Sequence, residues 1–142
     1  MYKEINKGNY RYNQSVEDMI NRDSPKVIAY GKSKSRIYKL NKGDIVFFYQ
    51  KQNGIVAVGK VLDENATHIA ESDCYYKNVE MMIEPAYDSE EKHFISVKVN
   101  KELRNSIMNE EKEFCMRDTI KYPYLYGNQI DYAIKYVNEN RK

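Results

Sequence analysis

The sequence predicts an α+β domain in which helices flank a curled, mixed or mostly antiparallel sheet that closes toward a pseudobarrel. Three observations predict it. The order of elements is helix, strands, short helix, strand, helix, with no regular strand–helix–strand alternation. Two strands joined by a connection ending in Asn53-Gly54 read as a β-hairpin. Both of those strands are apolar on nearly every residue, so both faces of the sheet are covered, and Gly59 inside the second marks a bulge or close backbone approach.

The elements follow in order. Ser15 caps a first helix, with Asp18 three residues on as in a capping box, and Val16, Met19 and Ile20 on its buried face. Ser24-Pro25 stops it, because the residue before proline disfavours the α region. A short strand spans 26–30. Residues 31–43 form a flexible polar stretch with a short turn around 37–40. The hairpin strands are 44–50 and 55–62. Residues 63–73 are an acidic connection, and 79–83 are a strand preceded by Tyr75 and Tyr76. In the strand 94–99, Ile95, Val97 and Val99 face in and Ser96 and Lys98 face out. Asn100 caps a short helix carrying Leu103 and Ile107 on one face. A last strand spans 117–122, and a tyrosine-rich loop with Tyr122, Tyr124 and Tyr126 follows it. Asn128 caps the final helix, with Asp131 in the first turn and Ile130, Ala133, Ile134 and Val137 as its buried stripe.

The 142 residues suffice for one domain, taken as 1–142, and not for two. The first thirteen residues lack the apolar segment of a secretory signal, and the longest apolar runs, 45–49 and 55–58, are far short of a membrane span. The expected compartment is cytoplasmic and reducing. Cys74 and Cys115, with His68 and His93, are not at metal-ligand spacing, so the cysteines read as free thiols. No cofactor or metal is expected.

Charge is polarised along the chain. Residues 1–60 carry twelve Lys/Arg against five Asp/Glu, and residues 61–113 carry six against thirteen. Within 31–43 stand Lys32, Lys34, Arg36, Lys39 and Lys42 with no acid among them. Such a stretch presents a basic face to a polyanion, and phosphate contact is its functional reading; a solvated loop is the plain one. Tyr30 immediately precedes this stretch. A base-reading pocket needs aromatic faces to offset the cost of unstacking, with cations at its rim to hold the phosphates. Phe47 and Phe48 read as core, and Tyr49 can face either way.

The runs 15–20 and 26–33, Ser-Val-Glu-Asp-Met-Ile and Lys-Val-Ile-Ala-Tyr-Gly-Lys-Ser, resemble the opening of YTH and EVE domains. Residues 42–49 and 54–61, Lys-Gly-Asp-Ile-Val-Phe-Phe-Tyr and Gly-Ile-Val-Ala-Val-Gly-Lys-Val, look like the central hairpin of EVE domains. Residues 75–81, Tyr-Tyr-Lys-Asn-Val-Glu-Met, are similar to a YTH segment bearing a cage aromatic, and Arg117-Asp118-Thr119 is similar to the ending of both groups. The resemblance spans 15–138 and is to the PUA-like superfamily, with EVE domains as the nearest branch. It implies a small pseudobarrel that reads a splayed, often modified, base in an aromatic pocket. Carried over by position, Tyr30 and Tyr75 are walls of that pocket and Ser33 a polar contact, with Tyr49 a further candidate. Lys32, Lys34, Arg36, Arg117 and Lys121 are the candidates for the phosphate backbone. The chain departs from the YTH pattern in having no tryptophan, the stronger π partner for a methyl group, whereas tyrosine suffices to stack a base.

The expected function is therefore non-catalytic binding of nucleic acid, DNA or RNA, with a methylated or otherwise modified base as the preferred ligand and no membrane partner. EVE-like domains resemble parts of DNA-modification and restriction systems, which makes a defence-linked role an analogy. Two alternatives stay open. One is a protein-interaction module or accessory inhibitor whose acidic middle serves a basic partner. The other is a small hydrolase of the ASCH type, against which the run 31–36, Gly-Lys-Ser-Lys-Ser-Arg, lacks the glutamate and the spacing of the ASCH Gly-x-Lys-x-x-Glu-x-Arg run.

Overall fold

A computed structural model describes residues 16–20, 23–29, 31–50, 53–88, 93–107, 124–126 and 129–141, the side chains of 18, 31–33 and 124–126 excepted. The described residues form an antiparallel sheet curled into a half-barrel with helices on both faces.

Helix α1 (Val16–Ile20) buries Val16, Met19 and Ile20, as its spacing predicts; its expected cap, Ser15, lies outside the described residues. Strand β1 (Lys26–Ala29) follows. Residues Gly31–Lys39, expected to be flexible, instead form a 3-10 helix. The reason is apolar anchoring: Ile37 and, just beyond the helix, Leu40 are fully buried, which fixes the turn that the polar composition concealed.

Strands β2 (Ile45–Gln50) and β3 (Gly54–Val61) are the expected hairpin. Gly54 has φ +139°, and a Cβ there would stand 2.4 Å from the Val97 carbonyl oxygen, so only glycine fits. Successive residues of β2 point to opposite faces: Val46 and Phe48 join a core with α1 and the 3-10 helix, while Ile45 and Phe47 join another against α2 (Lys101–Ile107) and α3 (Ile130–Asn140). The register passes from Phe48↔Ala57 to Tyr49↔Ile55, skipping Val56, so Val56 and Ala57 both enter the first core. A second shift, at Gly59, skips Met82 of β5 (Cys74–Ile83). Both shifts bend the sheet, and Gly59 sits where its sequence position predicts.

Strand β5 is the longest and joins two parts of the sheet. Residues 75–78 pair with β1 and 74–76 with β4 (Thr67–Ile69), while 79–83 pair with β3. β4 is a correction, because its segment reads from sequence as an acidic connection; its three residues form a strand by bonding to the edge of β5. The stretch 94–99 is a second correction. It makes only isolated bridges, Tyr87↔Phe94 and Ile55↔Val97, and Phe94 rather than Ile95 is fully buried. The segment takes its facing from those two bridges rather than from a continuous ladder.

Asn100 caps α2, accepting at 2.7 Å from the Leu103 N–H. α3 begins after Gln129 rather than Asn128 and buries Ala133 and Val137, with Ile130 and Ile134 half-buried. The expected strand at 117–122 lies outside the described residues. Strand β6 (Tyr124–Tyr126) instead occupies the tyrosine-rich segment, pairing with β2 from Val46 to Phe48.

Candidate functional site: an aromatic and charged cluster between the 3-10 helix and the β4–β5 turn

Tyr75, near the start of β5, faces Ala29 of β1 on one side and His68 of β4 on the other. Directly opposed cross-strand residues bring their side chains together, and the His68 imidazole stacks on Tyr75 with centroids 4.6 Å apart at 29°. The 3-10 helix supplies Tyr38, whose ring meets Tyr75 edge-on at 5.7 Å and 61°. Tyr75 is half-buried, whereas Tyr38 is 58% exposed. Tyr75 thus holds two more accessible rings in place.

A polar link runs beside the rings. Asp73 closes the β4–β5 turn with φ +51°, the left-handed conformation that Asp tolerates better than most residues. Its Oδ2 accepts from Lys34 Nζ at 2.6 Å, and its Oδ1 lies 2.9 Å from His68 Nε2. The Lys34 bond, and then that of His68, hold the Asp73 carboxyl below the usual carboxylate range. The same bond to Asp73 raises Lys34 against a smaller opposing effect of burial. Loss of hydration pushes the Tyr38 phenol up, and neighbouring Tyr75 adds to it.

Below this surface, Lys77 fixes the helix to the sheet. Its side chain is 2% exposed, and Nζ donates to the Leu40 carbonyl at 2.8 Å and the Glu64 carbonyl at 2.9 Å. Burial pushes its ammonium down, partly opposed by Asp63, Asp44 and Glu64.

Of the sequence-derived candidates, Tyr75 and Lys34 come together here. Lys34 is engaged by Asp73 rather than standing as part of an unopposed basic stretch. Arg36 is half-buried on the 3-10 helix, whose backbone also carries Ser33 and Lys32. Tyr49 does not belong to the cluster: it packs against the core of α2 and α3, and Tyr75 against the other core. The alternation of β2, which runs unbroken from Ile45 to Tyr49, carries its ring there, and the extra residue of the register shift, Val56, lies on β3. Tyr30, Arg117 and Lys121 lie outside the described residues.

Sequence reasoning missed His68, Asp73 and Tyr38. The signal for His68 was its place between Thr67 and Ile69, a β-branched pair that favours a strand; no local pattern marks Asp73 or Tyr38. Cys74 is a buried free thiol with Ser72 Oγ 3.4 Å from its sulfur. Among the described residues no group of three or more His, Cys, Asp or Glu could hold a metal ion, and no helix is long and apolar enough to cross a membrane. No family model, curated protein or solved structure matches this chain.

Proposed function

We propose that the chain is a non-catalytic nucleic-acid-binding domain that stacks a splayed base on the Tyr38, Tyr75 and His68 cluster. The observation that carries this reading is the exposure of Tyr38 beside the stacked Tyr75–His68 pair, on a helix whose charged residues are all basic. Aromatic stacking contributes roughly 1–3 kcal/mol per base, and cations along the same helix attract the phosphates with salt-dependent strength. The curled half-barrel with helices on both faces is compatible with the PUA-like architecture, and an EVE-like domain is the finer fold proposed. A modified base is the ligand that this resemblance favours.

The test is binding of labelled single- and double-stranded DNA and RNA, with plain and methylated bases, at two salt concentrations, to the wild type and to Tyr38→Ala. Salt-sensitive binding weakened by Tyr38→Ala supports the reading. Absence of binding to every probe at low salt sinks it and directs the search to a protein partner.

A further inference from the structure

We infer that Asp73 is the specificity-determining residue of this site and that the base it selects is guanine; the inference rests on the nucleic-acid reading above and deepens it. The carboxylate is hydrogen-bonded to the ring nitrogen of His68, which puts it at the rim of an exposed stacking surface. His68 and Asp73 side chains remain 44% and 61% exposed, so neither is closed off by the fold.

An ionised carboxylate only accepts hydrogen bonds, and its two oxygens offer about four acceptor sites. Among the described residues one on Oδ2 is taken by Lys34 and one on Oδ1 by His68, leaving each oxygen able to accept once more. Two adjacent acceptors call for two adjacent donors. On its Watson–Crick edge guanine presents N1–H beside the N2 amino group. Adenine and cytosine present one amino group next to a ring-nitrogen acceptor, and uracil or thymine an N3–H between two carbonyl oxygens. Those acceptors would face the carboxylate with like polarity. Guanine alone among the common bases can satisfy both oxygens.

Asp73 also discriminates against the backbone alone. It occupies Lys34 at 2.6 Å and adds a negative charge where a phosphate would otherwise sit. Specificity is a difference of affinities, and a group that repels the wrong ligand contributes to it as much as one that attracts the right one. Replacing Asp73 with Asn keeps the side-chain shape and tolerates the same left-handed backbone. The change removes the paired acceptors, frees Lys34 and introduces donors.

The experiment uses short single-stranded probes in which one guanine, inosine, adenine, cytosine or uracil is flanked by abasic positions, so that phosphate number stays constant. The wild type is expected to prefer guanine by about tenfold over adenine, cytosine and uracil. Inosine, which lacks the N2 amino group, falls between. Asp73→Asn is expected to bind all five alike, with a salt dependence steeper by about 0.7 in the log–log slope, the increment of one added phosphate contact on a single strand. Equal wild-type affinity for all five probes overturns the inference while leaving the nucleic-acid reading intact. A guanine preference that survives Asp73→Asn overturns the role of Asp73. Absence of binding to any probe at low salt ends both. The guanine-to-inosine comparison needs no variant, so equal affinity for these two probes overturns the inference even if Asp73→Asn folds poorly.

Discussion

The buried Lys77 ammonium donates to the carbonyl of Leu40, thirty-seven residues earlier, and this bond sets where the 3-10 helix ends against β5. Lys77→Met would fill much of the same volume but leave the Leu40 and Glu64 carbonyls without this donor. The expected cost, measured by urea unfolding at neutral pH, is about 1–3 kcal/mol, reduced by whatever is recovered from not burying a charge. The pH dependence has a definite sign. Because burial lowers Lys77 in the folded state, the unfolded chain binds more protons in the alkaline range just below the ordinary lysine value. Stability from this group therefore rises with pH through that range. The difference between wild type and Lys77→Met should grow in favour of the wild type there. A difference that stays flat or shrinks would contradict it.

At the acid end the sign is the same, because the folded state also lowers Asp73. Asp73 is held below the ordinary carboxylate value by Lys34 first and His68 second, so its contribution is present above that value and lost as pH falls through the lowered one. Wild type should lose more melting temperature than Asp73→Asn between about pH 4 and pH 2. The gap should narrow in high salt, since the pair is exposed.

Gly54→Ala should be among the most damaging single-atom changes in the described fold. The new methyl would meet the Val97 carbonyl while the backbone stays at φ +139°. A loss of about 2–4 kcal/mol is expected from strain and displacement of the Ile55–Val97 bridge. Gly43, also at positive φ but with open space around it, is the control: Gly43→Ala should cost no more than about 1–2 kcal/mol. Denaturant titration of both variants compares the two effects directly.

Asn100 works at both of its side-chain atoms. Oδ1 caps α2 at the Leu103 N–H, and Nδ2 donates to the Tyr136 hydroxyl of α3 at 2.9 Å. Asn100→Ala is expected to cost about 1–2 kcal/mol. Asn100→Asp keeps the cap, so most of that loss should be recovered. Equal melting temperatures for the two variants would assign the stabilisation to the Tyr136 contact instead.

Tyr38→Ala and Tyr75→Ala should separate binding from folding. Tyr38 is exposed and packs edge-on against one ring, so its truncation should leave the melting temperature within a few degrees while weakening probe binding about tenfold. Tyr75 packs against the core and organises both neighbours, and its truncation should reduce stability and binding together. Thermal melts beside the binding titrations give both quantities.

What the sequence made legible was local. The Asn53-Gly54 hairpin, the buried faces of Val16, Met19 and Ile20, the Asn100 cap and the bulge at Gly59 are each written within a few neighbouring residues. What it concealed depends on distant partners. β4 exists because β5 offers an edge, and the 3-10 helix is held by Ile37, Leu40 and a lysine far along the chain. The candidate site fell between these classes. Tyr75 and Lys34 could be named from type and position. Their meeting with His68, Asp73 and Tyr38 required the β4–β5 pairing that no local pattern announced.

The three-residue period of the 3-10 helix divides its positions into rows, because side chains at i and i+3 eclipse. Ile37 and Leu40 stand in line with Lys34, and that row carries the anchoring and the link to Asp73. Ser35 and Tyr38 form a second, exposed row, and Arg36 and Lys39 a third. Ser35 and Tyr38 point away from the row that holds the segment down, so substitution there leaves that row in place. Selection can therefore vary what this surface presents at Ser35 and Tyr38 while the buried row beneath stays unchanged.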